Sequence, residues 1–419
     1  MAMKELPEGG LKKSRSVDIN RSLKDLIASL KSNFDEFLKI INQGFSLNEK
    51  CKHQFSAITS NLDVIKSSLD NMRFPQRLKS LRENPTLLSD IIIFVDSICQ
   101  LWQKVLNLPT TKDEAAIMLG YSLGLLSTIG KLLSKRIVGE GYIFEPTVKI
   151  LNKLGAIGHF LAVLDIYCKA IELYKSNLYS PMDKKLKEVT TNLFPIYAML
   201  LNILLQGANE DTVLEFDTKY SGCAKLIEFL KHSYNHKQFE AYKQLVSLIP
   251  IISISMKAEV SNGLFVVLKE HLFELTIDKD EKDLHLSLLV SLRSLIMVNE
   301  NCTGIDKLKN KIEKAYESEW KNEDKSVLYC LSYLLFEIWN STQPKEDEKT
   351  TGWKQELQSE YTNYQNLKEQ LKLLKIKHYD CPKVVSSLKR IQKLISEVIV
   401  ILIFSLSYHS QALCFLMDI

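Results

Sequence analysis

Apolar residues recur every three or four positions along almost the whole chain, and this spacing constrains the fold more than any other feature. It is typical of helices that bury one face, whereas a half-buried strand alternates apolar and polar residues. The chain of 419 residues contains only 15 glycines and 10 prolines, too few for the many tight turns of a sheet protein. The sequence therefore predicts an all-α protein with no strands.

A long amphipathic region is predicted over residues 17–75, after a disordered tail at 1–16. Gly44, followed by the capping box of Ser46 and Glu49, divides this region into two helices. Their apolar stripe is too narrow to form a core alone, so we expect a long helical hairpin or a coiled coil. The stripe residues predicted to bind a partner are Leu23, Leu30, Phe34, Phe37, Phe55, Leu62 and Leu69.

The central region, residues 85–340, contains helices that are apolar on most of their faces. Such helices are enclosed by other helices, as in stacked repeats or the interior of a bundle. Pro109, Pro146 and Pro181 stand near predicted helix starts, where proline is tolerated. Their spacing approaches that of a helical-hairpin repeat, but it does not continue. We expect an elongated antiparallel array of the armadillo- or HEAT-like solenoid kind, with an irregular helical bundle as the alternative.

A polar linker is predicted at 341–352, and it separates the array from a C-terminal helical segment at 353–419. The apolar positions of its first helix are Trp353, Leu357, Tyr361, Tyr364, Leu371 and Leu374. Residues 398–417 carry no formal charge, and a stretch of about twenty such residues is long enough to cross a bilayer. Several polar side chains interrupt it, so a buried terminal helix is favoured and a membrane tail anchor through 398–419 is the alternative.

No motif in the sequence indicates a catalytic, cofactor or metal site. GLLSTIGK, at Gly124–Lys131, has one residue too many between its glycines for a phosphate loop and is predicted to lie mid-helix. His232 and His236 have helical spacing, but zinc needs three or four converging ligands and a polar helix end explains them better. Charged residues of both signs are interleaved on what we expect to be solvated helix faces.

The overall charge and the cysteines indicate an intracellular protein without a nucleic-acid partner. A formal net charge of +4 gives no strong field for nucleic acid. The 8 cysteines are scattered in apolar surroundings with no C-x-x-C pair, which is typical of buried, reduced thiols in a cytoplasmic or nuclear protein. We expect no cofactor, and the oligomeric state does not follow from the sequence.

The expected function is that of a non-catalytic scaffold or adaptor that binds other proteins, as helical or extended segments, through apolar grooves between helices. Its partner-binding elements would be the N-terminal stripe and the aromatic-rich helix at 353–379. The alternative for both is that they fold back onto the central array. A tail-anchored tethering subunit is the second hypothesis for the whole protein, and an enzyme of unknown chemistry is the third.

Overall fold

The structure of the protein is a computed structural model. It describes residues 86–106, 112–139, 142–143, 145–175, 192–274, 282–299, 301–319 and 325–342, with single helical positions between 25 and 60 and between 355 and 369. These residues are almost entirely α-helical, and the predicted all-α class is confirmed. They belong to two compact units. One holds the residues up to Lys135 together with Tyr174–Leu193, and the other holds Arg136–Leu173 and the chain from Phe194 onward.

The first unit contains helix α1 (Thr86–Leu106) and helix α2 (Lys112–Ile137) as far as Lys135. Helix α1 is buried on most of its faces, as its apolar sequence predicts, although Ile93 is exposed; the nearly inaccessible residues are Leu88, Ile91, Ile92, Phe94, Val95, Ile98, Cys99 and Trp102. The segment Gly124–Lys131 lies inside α2, as predicted. Leu125, Leu126 and Ile129 of this segment are buried, so it is core helix and not a phosphate loop.

The second unit begins with the end of α2 and a short antiparallel ladder, in which β1 (Val138–Gly139) pairs with β2 (Tyr142–Ile143). This ladder corrects the expectation of no strands, and the sequence gives no signal for it because two residues are too few to show an alternating pattern. Helices then follow at α3 (Glu145–Lys153), α4 (Ala156–Lys175), α5 (Leu193–Gln206), α6 (Glu210–Thr218), α7 (Gly222–Asn235), α8 (Phe239–Val246), α9 (Ile249–Ile252), α10 (Ala258–Glu274), α11 (Lys282–Val298), α12 (Ile305–Glu319) and α13 (Lys325–Thr342). A 3-10 turn, Ser253–Ser255, separates α9 from α10.

Local chemistry explains where α6 and α7 begin. Asn209 caps α6, because its side-chain oxygen accepts a hydrogen bond from the backbone nitrogen of Thr212 at 3.0 Å. Gly222 opens α7 where the chain passes very close to Phe216. A Cβ at this position would lie 2.6 Å from both the ring and the carbonyl oxygen of Phe216, so only glycine fits without a shift.

Within the second unit, helices pack against their sequence neighbours and also against helices further along the chain. Helix α7 packs against α8 and α10, and α11 packs against α8, α9, α10 and α13. Helix α13 also packs against α12. The core between these helices includes Phe229, Phe265 and Tyr242, each fully buried. Helix α11 is therefore enclosed on several sides, which explains its largely apolar sequence.

Helix α13 continues through Ser341 to Thr342, the first two positions of the predicted linker, and the rest of that linker lies outside the described residues. One further expectation is wrong in detail. The expectation that charged side chains lie on solvated faces fails for Arg293, Glu337 and Lys269, which are buried. The chemical partners of these three residues lie on other helices or loops, and helical spacing within one segment does not reveal them.

Candidate interaction surface

The predicted partner-binding residues lie outside the part of the chain that the structure describes. They are Leu23, Leu30, Phe34, Phe37, Phe55, Leu62 and Leu69, and they stay predictions. The same holds for the apolar stretch at 398–417 and for most of the linker at 341–352. From the aromatic-rich helix at 353–379, several positions between Gln355 and Glu369 are described; we call these described positions the C-terminal segment.

Tyr361 and Gln365 of the C-terminal segment contact α13, and Leu357 lies on the same face of the segment. Leu357, Tyr361 and Gln365 follow each other at intervals of four, so they lie on one face of a helix. Leu357 is completely buried, whereas Tyr361 and Gln365 are half-buried. The intervening residues Ser359, Glu360, Thr362 and Asn363 are exposed. At these positions the contacts are those of the alternative hypothesis, in which the helix folds back onto the array. Gln365 lies on the same face, although the sequence predicted only apolar residues there.

Aromatic rings on α13 receive Tyr361. Its ring centroid lies 5.4 Å from that of Trp339, nearly perpendicular at 87°, and 5.5 Å from that of Phe336. The edge-to-face pair with Trp339 contributes about 0.5–1.5 kcal/mol beyond the burial of its area, and the Phe336 ring is tilted by 46°. Phe336 and Trp339 are themselves almost fully buried. We call Phe336, Trp339 and Asn340 the α13 surface.

Asn340 is the polar centre of this contact. Its side-chain oxygen accepts hydrogen bonds from the Tyr361 hydroxyl, at 2.6 Å, and from Gln365 Nε2. Gln365 Nε2 also donates to the Tyr361 hydroxyl at 2.7 Å. A carbonyl oxygen has two lone pairs, and here both are used. The Asn340 amide nitrogen in turn donates to Glu337 Oε2 at 3.2 Å.

A buried ion pair lies behind Asn340. Arg293 Nη2 of α11 is 3.6 Å from Glu337 Oε1 of α13, and the two side chains are only 9% and 4% exposed. The Arg293 guanidinium also lies over the ring of Tyr333, 5.3 Å from its centroid, which favours the cation further. One polar network therefore runs from α11 through α13 to the C-terminal segment.

A second group of polar side chains lies between α7, α8 and α10. The Tyr242 hydroxyl shares a hydrogen bond of 2.7 Å with His271 Nδ1, and Tyr234 stacks on the His271 ring at 3.8 Å. Burial lowers the pKa of His271 to about 4 and raises the pKa of Tyr242 well above its usual range. Both groups are therefore neutral near pH 7, and they form an uncharged hydrogen bond inside the second unit.

His232 and His236 come together, as their spacing predicts. Their rings stack at 4.1 Å, and His236 Nδ1 donates to the carbonyl oxygen of His232 at 2.7 Å. The interpretation as a polar helix end is right about position, because α7 ends at Asn235, but His232 is buried beside Tyr167 and Phe194. Within the described residues, no group of three or more His, Cys, Asp or Glu side chains is arranged to hold a metal ion.

Of the five described cysteines, Cys99, Cys223, Cys302 and Cys330 are buried, Cys168 is half-buried, and none of them forms a disulfide. Burial raises the pKa of Cys302 to about 11 and that of Cys330 to about 12, and it also raises the pKa of Cys223. Because the thiolate is the reactive form, burial disfavours reaction of these three thiols near neutral pH.

Among the described residues, no single helix combines the length and the apolar composition that crossing a membrane requires. The pair formed by Glu145–Lys153 and Ala156–Ile171 meets the criteria of length and composition only when its two helices, bent by 81°, are taken together.

Comparisons of this chain with protein-family models, with curated proteins and with solved structures give no match. A function is therefore proposed from the contacts of this chain alone.

Proposed function

We propose that the protein is a non-catalytic intracellular scaffold or adaptor, which binds partner proteins through apolar grooves between its helices as a subunit of a larger complex. In this proposal the second unit is a solenoid-like array, and the stripe at 17–75 is a helical hairpin or coiled coil that binds a partner. The contact of the C-terminal segment with the α13 surface is the observation that carries it.

That contact supports the proposal because it is an example, within one chain, of how such an array holds an amphipathic helix. An apolar residue, Leu357, is fully buried, and a tyrosine packs between the rings of Phe336 and Trp339. Tryptophan and tyrosine are the side chains that most often dominate protein–protein binding energy. Polar partners at Asn340 fix the register of the bound helix, as in helix-in-groove recognition.

The packing pattern supports the solenoid-like arrangement. Helix α11 packs against its neighbour α10 and also against α8 and α13, while α7 packs against both α8 and α10. In stacked helical hairpins each helix packs against the next one and against its equivalent in the adjacent hairpin. Such stacks expose long grooves, which suit extended or helical ligands.

Affinity isolation of the tagged full-length chain tests the proposal. The variant Leu30→Asp/Leu62→Asp places two charges on the predicted stripe, and the matched control Ser32→Asp/Ser60→Asp places them at exposed positions two residues away. We expect the stripe variant to lose proteins that the wild type and the control retain, with an unchanged melting curve. Retention of all partners would contradict the proposal. So would loss of partners only through a lower melting temperature, because the stripe would then be core.

A further inference from the structure

We propose that the C-terminal segment is an intramolecular occupant of the α13 surface, which a partner helix of the same chemistry binds only after displacing it. The hydrogen bonds of Tyr361 and Gln365 with Asn340 hold the segment in place. This inference rests on the proposed function, and it names the surface, the kind of partner and the regulation of binding.

The contacts of the segment define the chemistry of the partner. A buried aliphatic residue, a tyrosine four positions later and a side-chain amide four positions after that match Leu357, Tyr361 and Gln365. Phe336 and Trp339 select an aromatic ring at the middle position, and Asn340 selects donors at the last two. The expected partner is thus an amphipathic helix with the pattern L-x-x-x-Y-x-x-x-Q.

Among the described positions, Tyr361 and Gln365 contact the α13 surface directly and are half-buried, while Leu357 is fully buried. The chain itself joins the segment to α13, so the covalent connection contributes to holding this contact. A short connection supplies an effective concentration on the order of millimolar, against which a free ligand must compete.

Because the C-terminal segment already occupies the α13 surface, an added peptide of the same sequence must compete with it for that surface. The probe is a fluorescein-labelled peptide with the sequence of residues 353–370, added to the full-length chain and followed by fluorescence anisotropy. In the wild type its own segment occupies the α13 surface, so the peptide binds weakly. Tyr361→Ala in the chain weakens the internal occupant but leaves α13 unchanged. Truncating a dominant interface residue costs about 30-fold or more in affinity, and we expect the peptide to bind this variant at least tenfold more tightly.

Three controls make the result specific. Ser359→Ala changes an exposed residue of the same segment and should leave the weak wild-type binding unchanged. Gln365→Ala removes a donor to Asn340 without removing a ring, so its peptide affinity should fall between those of the wild type and Tyr361→Ala. A peptide that itself carries Tyr361→Ala should bind none of the chains. Circular dichroism checks that each variant keeps the helix content of the wild type.

Equal peptide affinity for the wild type and Tyr361→Ala would overturn the inference, since the internal segment would not compete. Absence of peptide binding to both would overturn it as well. A wild-type dimer that dissociates in Tyr361→Ala would place the segment on a second copy of the chain and overturn the intramolecular assignment.

Failure of this inference is distinguishable from failure of the proposed function. If the stripe variant loses partners but the peptide binds the wild type and Tyr361→Ala equally, the scaffold proposal stands and the inference fails. If the peptide competes as expected but no partner depends on the stripe, the α13 surface still binds a helix in trans, so the inference stands while the proposed role of the stripe fails.

Discussion

Removing one charge from the buried pair of Arg293 and Glu337 should destabilise the protein more than removing both. The atoms Arg293 Nη2 and Glu337 Oε1 are 3.6 Å apart. At an effective dielectric constant of about 20, their attraction is about 4–5 kcal/mol. Glu337→Gln keeps the shape and an oxygen for Asn340 but removes the carboxylate charge beside the buried Arg293 cation. We expect a loss of about 3–5 kcal/mol in the free energy of unfolding, and a similar loss for Arg293→Met.

The double variant Arg293→Met/Glu337→Gln removes both buried charges. Without an uncompensated ion, it should be more stable than either single variant and lie within about 2 kcal/mol of the wild type. Urea unfolding of the wild type, the two single variants and the double variant, followed by circular dichroism, completes a double-mutant cycle and gives the coupling energy between Arg293 and Glu337. The exposed pair of Lys169 and Asp165, at 2.8 Å, supplies a control, because Asp165→Asn should cost less than about 0.5 kcal/mol despite the shorter distance.

Additive losses in the double variant would refute this reasoning. They would mean that Arg293 and Glu337 contribute through separate contacts and not through the charge of the other. Losses below about 1 kcal/mol in both single variants would also refute it, because a buried unpaired charge costs more than that.

Three further predictions concern the core of the second unit and its thiols. The pKa of His271 is about 4 in the folded chain and about 6.5 when unfolded, so only the unfolded state binds this proton between those values. The free energy of unfolding should therefore fall by about 2 kcal/mol as the pH is lowered from 7 to 4.5. Urea unfolding midpoints of His271→Gln should lack this part of the pH dependence. Gly222→Ala forces a methyl group against Phe216 and should lower the free energy of unfolding, measured by thermal unfolding, by about 1–3 kcal/mol. In the control Gly263→Ala the new Cβ would lie 3.1 Å from the end of the Ile227 side chain, and stability should change by less than about 1 kcal/mol. Equal effects of the two variants would contradict the steric argument. Alkylation at pH 8, followed residue by residue with mass spectrometry, should modify Cys330 only as fast as the protein opens, and rapid modification would show that this thiol is accessible.

Helical spacing predicted the parts of the fold that depend on a single segment. Pro146 stands in the first turn of α3, near the helix start that the sequence predicts. Helix α1 is buried on most of its faces, as its apolar sequence indicates. These features arise from local backbone preferences and from local composition, and both can be read from neighbouring residues.

The polar network at α13 could not be predicted in the same way. Arg293 and Glu337 lie on different helices, and Asn340 meets Tyr361 and Gln365 across the predicted linker. Their pairing depends on how the helices pack against one another, and the spacing of apolar residues within one helix carries no information about that packing. The sequence did place Leu357 and Tyr361 on one apolar face, but not what that face contacts. The polar residue Gln365 carried no signal of its own.

Hydrogen–deuterium exchange of the intact chain tests most directly whether the C-terminal segment is held on α13. The account predicts that backbone amides at 357–365 exchange well below their intrinsic rates in the wild type and in Ser359→Ala, and that they approach those rates in Tyr361→Ala. Exchange of these amides at intrinsic rates in the wild type would contradict the account.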